Sequence, residues 1–152
     1  LGMILGEAIR VMTNINDFQT EVKIRGARET LMMPGRVNIN KEGEFKGEPG
    51  VFEDGPDVNV GIGVLGIGNI ALANISAEIY NIFGQKIKAA SPLSKTIFVT
   101  LTNGGSNSGY IIDDASYNKN TFQVLGNKIQ PGHAETKIVE SIVKLIEKHV
   151  ED

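Results

Sequence analysis

The chain has 152 residues, 41% of them hydrophobic, which is enough for one compact domain with its own core. A net charge of -3 gives no basic footprint for nucleic acid, and the absence of cysteine excludes disulfides, thiolate zinc clusters and a cysteine nucleophile. No apolar stretch approaches the roughly 20 residues that span a bilayer as a helix, so no transmembrane segment is expected.

Leu1, Ile4, Leu5, Ala8, Met12 and Ile15 recur at helical spacing and predict an amphipathic first helix. It opens without the basic region and small-residue cleavage site of a signal peptide, and with Leu1 in place of an initiator methionine. A trimmed piece of a longer chain is the expectation, and its cellular location stays open. From Thr20 to Met33, Val22 and Ile24 alternate with charged residues, predicting a half-buried strand interrupted at Gly26 and ended by Pro34. Pro34 to Asp57 holds three of the five prolines among glycine and charge, and reads as a long loop. Two strands follow, "VNVGIGVLGI" and "NIALANI", joined at Gly68-Asn69. A helix is predicted from about Ser76 to Ala90, with Ile79, Ile82, Phe83 and Ile87 on one face. The strand "KTIFVTL" then leads into the glycine-rich "TNGGSNSGY", and Pro131-Gly132 starts a last helix with Ile138, Val139, Ile142, Leu145 and Ile146 on its apolar face. Strands beside helices without strict alternation predict an α+β (mixed α/β) fold, a mixed sheet of about five strands packed with three main helices.

Gly61, Gly63 and Gly66 match G-x-G-x-x-G, but a dinucleotide site needs a helix to open there, and "IGNIALANI" is strand-like. A hairpin with close-packed glycines is the better account. Ser106 or Ser108 with Asp113 or Asp114 and His133 would give a Ser-Asp-His order, yet the acids follow the serines too soon for a nucleophile-elbow hydrolase. Asp113 and Asp114 more simply begin a short helix. His149, in the last helical turn, reads as a surface residue suited to the helix dipole, whereas His133 faces either a site or water. Two histidines and no cysteine do not complete a His-rich zinc site. Glu78 is predicted in the first helical turn behind Ser76 as N-cap. There it either complements the dipole or serves as a carboxylate ligand or general base at a sheet's edge. Tyr110 is either a plain strand-start aromatic or a functional phenol.

Taken in order, "LGMILGEAIRVM", "ARETLMMP", "IALANISAEIYNIFGQKIKAASP", "TIFVTLTNGGSNSGYIIDDASY" and "PGHAETKIVESIVKLI" resemble the last part of the catalytic domain of the neutral/alkaline (non-lysosomal) ceramidases, a family of zinc amidases. The resemblance covers most of the chain except Pro34 to Asp57. It implies that residues 1–152 form a single domain, the C-terminal fragment of a larger zinc amidohydrolase whose N-terminal part would be its partner. In that family two histidines from the N-terminal part hold zinc together with a glutamate and a tyrosine, which here match Glu78 and Tyr110. Tyr110 is then also catalytic, and Asn103 and His133 are candidates for the substrate pocket. Ser76-Ala77 stands where the family has Pro-Gly, and Asp113-Asp114 where threonine-proline is common. The substrate implied is a ceramide-like lipid or another N-acyl amide, and the fragment by itself is expected to be inactive; its oligomeric state stays open, a dimer being possible through a surface the missing part would cover. The alternative is a non-catalytic partner- or ligand-binding domain, with the Asn103 loop and the Pro34 to Asp57 excursion as its contact surface.

Overall fold

Val58, Val60, Ile62 and Val64 are all buried, while the residues between them are polar or glycine. That period of two turns one face of a long strand toward the core. In a computed structural model, which describes residues 2–16, 18–44 and 46–151, this strand anchors a four-stranded sheet. Its members are β1 (Ile24–Asn38), β2 (Phe52–Ile67), β3 (Ile70–Ile75) and β5 (Lys95–Val99), in that spatial order. β1, β2 and β3 run antiparallel to their neighbours, and β5 lies parallel to β3. A second, parallel pair is formed by β4 (Glu78–Ile79) and β6 (Tyr110–Ile111). The α+β architecture predicted from the sequence is therefore present, with six strands among the described residues divided four and two.

Among the described residues the strands are accompanied by the α-helices α1 (Gly2–Thr13), α2 (Lys41–Glu44), α3 (Asn81–Ala90), α4 (Phe122–Gly126) and α5 (Glu135–Glu151). A 3-10 turn spans Asp114–Ser116. α3 and α5 pack on each other and on one face of the sheet. Their apolar stripes explain why: Phe83 and Ile87 of α3, with Ile138, Ile142, Leu145 and Ile146 of α5, are buried against Ala71, Ala73 and Ile75. Burying a side chain such as Ile142 fully contributes about 2 kcal/mol. By contrast, α1 has the predicted helical pattern but no buried residue.

Two expectations are corrected. Pro34 does not end the first strand, and the long loop is much shorter. β1 continues to Asn38 and β2 begins at Phe52, because the register shifts between Met33 and Gly35. Met33 pairs with Val58 and Gly35 with Gly55, so Pro56 and Asp57 together face Pro34 across a bulge. A bulge is where a strand accepts a residue that cannot donate to the ladder. The backbone of residues 128–130 then flanks β1, with Arg36 N donating to Lys128 O and Gln130 N to Pro34 O.

The three patterned glycines lie inside β2, which runs on to the β2–β3 hairpin at Gly68 (φ 56°), so no helix opens at Gly66 to hold a nucleotide. Gly66 makes room for a ring instead: a Cβ there would sit about 2 Å from the His149 imidazole. His149 is accordingly half-buried rather than a surface residue, with Nε2 3.2 Å from the Gly68 carbonyl.

Candidate functional site

β3 and β5 point the same way, and the chain leaves their C-terminal ends into two connections that meet again as β4 and β6. Ser76, just past β3, stays tied to β2: its N–H donates to Gly61 O at 2.8 Å, and its Oγ accepts from Gly61 N at 2.9 Å. The hydroxyl is thus occupied and does not cap a helix. α3 starts only at Asn81, with Tyr80 as a cap residue lacking a side-chain hydrogen bond. The expectation that Glu78 lies in the first turn of this helix is therefore corrected. Glu78 is in β4, ahead of the helix, and dipole complementation confined to the first turn does not account for it.

β4 pairs with β6 in parallel, with Glu78 opposite Tyr110 and Ile79 opposite Ile111. Neighbouring strands lie about 4.8 Å apart, and successive side chains alternate between faces. Ile111 is fully buried and Ile79 packs against the core, so the other pair, Glu78 and Tyr110, shares the outward face. Glu78 is exposed, and its carboxylate makes no hydrogen bond or ion pair among the described residues. The Tyr110 ring is half-buried, edge-on to Phe122 with centroids 5.6 Å apart. Its phenol oxygen likewise has no hydrogen-bond partner among the described residues.

The loop before Tyr110 is folded back on the sheet's edge rather than loose. Leu101 N donates to Ala77 O, Thr102 N to Ile75 O and Ser106 N to Ser76 O. Leu101 and Asn103 take left-handed backbone angles (φ 56° and 57°) to make this turn. Gly109 completes it at φ 65°, in close contact with the Gly126 carbonyl, where a Cβ would come within 1.9 Å of the oxygen. Asn127 Nδ2 then donates to Tyr110 O at 2.7 Å. The glycines and the loop's own hydrogen bonds thereby fix where the tyrosine backbone sits.

Asn103 is exposed at the rim of a cavity of about 190 Å³ under this loop, together with Arg28, Asn59, Asn74 and Thr102. Gly61 forms part of its wall, on the sheet face opposite the helices. Arg28 and Asn74 are polar residues that the alternation of their strands places on this open face. That signal was available in the sequence, although neither residue stands out there as a site candidate. His133 does not line this cavity; it is exposed just before α5 and makes no hydrogen bond among the described residues. The serines form no triad either, since Ser106 Oγ and Ser108 Oγ bond to each other and Asp114 Oδ1 accepts from Gly132 N.

No family model, curated protein or solved structure matches this chain. What the site can do has to be argued from its side chains. A carboxylate and a phenol at paired positions of two strands, neither oxygen group hydrogen-bonded among the described residues, are two oxygen donors. They are also only half of a tetrahedral set. No group of three or more His, Cys, Asp or Glu side chains that could hold a metal occurs among the described residues. His133 precedes α5 and His149 lies in its last turn, so about 24 Å of helix at 1.5 Å per residue separates them and they do not both reach one ion. Glu78 and Tyr110 would fit a zinc site only if further ligands came from outside the described residues.

Proposed function

We propose that this chain carries the carboxylate–phenol half of a zinc centre in an amidohydrolase that cleaves an N-acyl amide, such as a ceramide-like lipid, to an amine and a fatty acid. The observation that supports this most directly is the register that sets Glu78 beside Tyr110 on one outward face. Two histidines from an N-terminal part of the same protein would complete the ligand set. Zinc, when bound, polarises the amide carbonyl and lowers the pKa of a bound water. Glu78 supplies an anionic ligand. Tyr110 would supply its phenol oxygen as another ligand, near the position where negative charge develops on the carbonyl oxygen. Asn103 and its loop, which line the groove on the open sheet face, would contribute to the substrate pocket. His133, placed away from that groove, is dropped from the pocket.

The test is hydrolysis of a fluorogenic N-acyl amide by the product of the complete gene, with zinc content measured in parallel. Glu78→Gln and Tyr110→Phe are each expected to lower kcat/KM by at least about a hundredfold, in line with removal of a metal ligand or its close supports. The present chain alone is expected to be inactive and to bind zinc weakly. Full activity in both variants, or one tightly held zinc in the isolated chain, refutes the assignment. A complete gene product with neither zinc nor hydrolysis favours a non-catalytic binding domain.

A further inference from the structure

Beyond the bulge in β1, Arg36 turns inward and is only 7% exposed. Its guanidinium carbon lies 3.7 Å from the centroid of the Phe52 ring and 4.7 Å from that of Tyr117. Nε donates to Asn127 O at 3.2 Å and Nη2 to Val124 O at 2.9 Å, while Nη1 has no hydrogen-bond partner among the described residues. No carboxylate forms an ion pair with it among those residues. Tyr117 does not supply the missing charge. Burial pushes its phenol up to about 12, against the pull of Arg36, and its hydroxyl donates to Ile129 O at 3.0 Å. Burial also lowers the pKa of Arg36, but an arginine keeps its charge inside proteins. A buried cation with no counter-ion is unusual, because charges withdrawn from water are normally paired.

Near it in sequence on β1 is a buried polar group that is unsatisfied. Asn38 is 8% exposed, and its Oδ1 accepts from the backbone N–H of both Asn40 and Val51 at 3.1 Å. Those two donors fix the orientation of the amide, so the nitrogen must face the other way. That nitrogen, Nδ2, is buried without a hydrogen-bond partner. Arg36 and Asn38 line one cavity of about 370 Å³, to which Lys41 and Lys128 add exposed ammonium groups and Pro56 and Leu125 add apolar wall. Among the described residues, no aspartate or glutamate lines it. The unpaired guanidinium and the charged rim are all donors, and what they lack is an acceptor.

We propose that this cavity binds the oxyanion of a small organic molecule, a carboxylate or a phosphate, with the Arg36 guanidinium as inner cation, the Asn38 amide in the wall beside it, and Lys41 and Lys128 as the cationic rim. A planar guanidinium edge suits two-oxygen acceptors of this kind. The volume exceeds that of a bare ion, and the Pro56 and Leu125 side accommodates the apolar remainder of the ligand. This site does not depend on the zinc chemistry proposed above.

The test is an NMR titration of the full chain with sodium phosphate, acetate and hexanoate, each against sodium chloride at matched ionic strength. The side-chain amide of Asn38 is the reporter, and melting temperature provides a second readout. At least one oxyanion is expected to give saturable shifts. Asn38→Asp keeps an acceptor for both backbone N–H groups but replaces the donor with a negative charge, and should weaken binding by about tenfold or more. Lys41→Gln with Lys128→Gln changes only exposed side chains and should weaken it about threefold, which keeps the test open should the buried variant not fold. Saturation by phosphate alone identifies a phosphorylated ligand, whereas tighter binding of hexanoate than acetate identifies a carboxylate with an apolar tail. If no oxyanion moves the Asn38 amide beyond the chloride control, water fills the cavity and the proposal fails. It fails equally if binding is unsaturable, or unchanged in both variants, since that marks an adventitious ion only.

Discussion

Gly109 and Glu78 separate what a residue does for the fold from what it does at a site. A side chain at 109 meets two penalties at once, a left-handed φ of 65° and a collision with the Gly126 carbonyl. Strain of this kind costs about 1–3 kcal/mol before the collision is counted. Gly109→Ala is therefore expected to lower the unfolding free energy by at least about 2 kcal/mol in urea, and to shift the resonances of Tyr110. Glu78 is exposed and unpartnered, so Glu78→Gln should leave stability within about 0.5 kcal/mol. A carboxylate that removes activity from the complete protein without touching stability is a functional one. The sequence singled out Glu78 and Tyr110 but not their register. It suggested Ser76 as a helix cap because serine before a helical pattern usually is one, whereas the Ser76 hydroxyl is engaged by Gly61, a residue fifteen positions earlier. Nor did it mark Arg36, because a basic residue between two prolines reads as loop surface until the bulge folds it inward.

At the scale of elements, patterns complete within one segment were legible. The β2–β3 hairpin at Gly68 and the apolar stripe of α5 both follow from short-range periodicity. What depends on a distant partner was not. Pro34 continues a strand only because Pro56 and Asp57 share the bulge opposite it, and α3 starts late because residues 78 and 79 pair with β6. The junction of α3, the 3-10 turn and α5 is another long-range contact with a measurable signature. Glu135, the first residue of α5, pairs with Lys86 of α3 and accepts from Asp114 N at 2.8 Å. The Lys86 ammonium, then the Asp114 N–H, hold the Glu135 carboxyl below its ordinary value of 4.5. A depressed folded-state pKa stabilises the fold above the unfolded value, and that stability is lost as pH falls through the lower one. Glu135→Gln should thus melt below the wild type at pH 7, and the two curves should converge as the pH drops well under 4.5. A gap that persists at low pH would show that Glu135 acts through packing instead.

At the scale of the whole molecule, helices cover one face of the main sheet and nothing among the described elements packs as a layer on the other. On that open face Leu65, Leu72 and Ile97 are consecutive neighbours across β2, β3 and β5. Leu65 is 39% and Ile97 52% exposed, and Val99 beside them is 40% exposed. Burying such a row is the main driving force available to a half-covered sheet, and contiguous apolar surface of this kind marks an interface. If a further part of the protein normally supplies the second layer, as the proposed hydrolase requires, two copies of this chain alone should meet through it. Light scattering should then show association that grows with concentration. Leu65→Lys with Ile97→Lys should reverse it while leaving the melting temperature nearly unchanged, because both side chains are exposed and surface changes usually fall within about 0.5 kcal/mol. Removing Gly2–Thr13, whose side chains bury nothing, separates the contribution of α1 from that of the sheet. Association lost with α1 but kept in the double-lysine variant would move the interface to the helix. A chain that stays monomeric at high concentration would mean that its open face is not adhesive, and that the sheet needs no second layer.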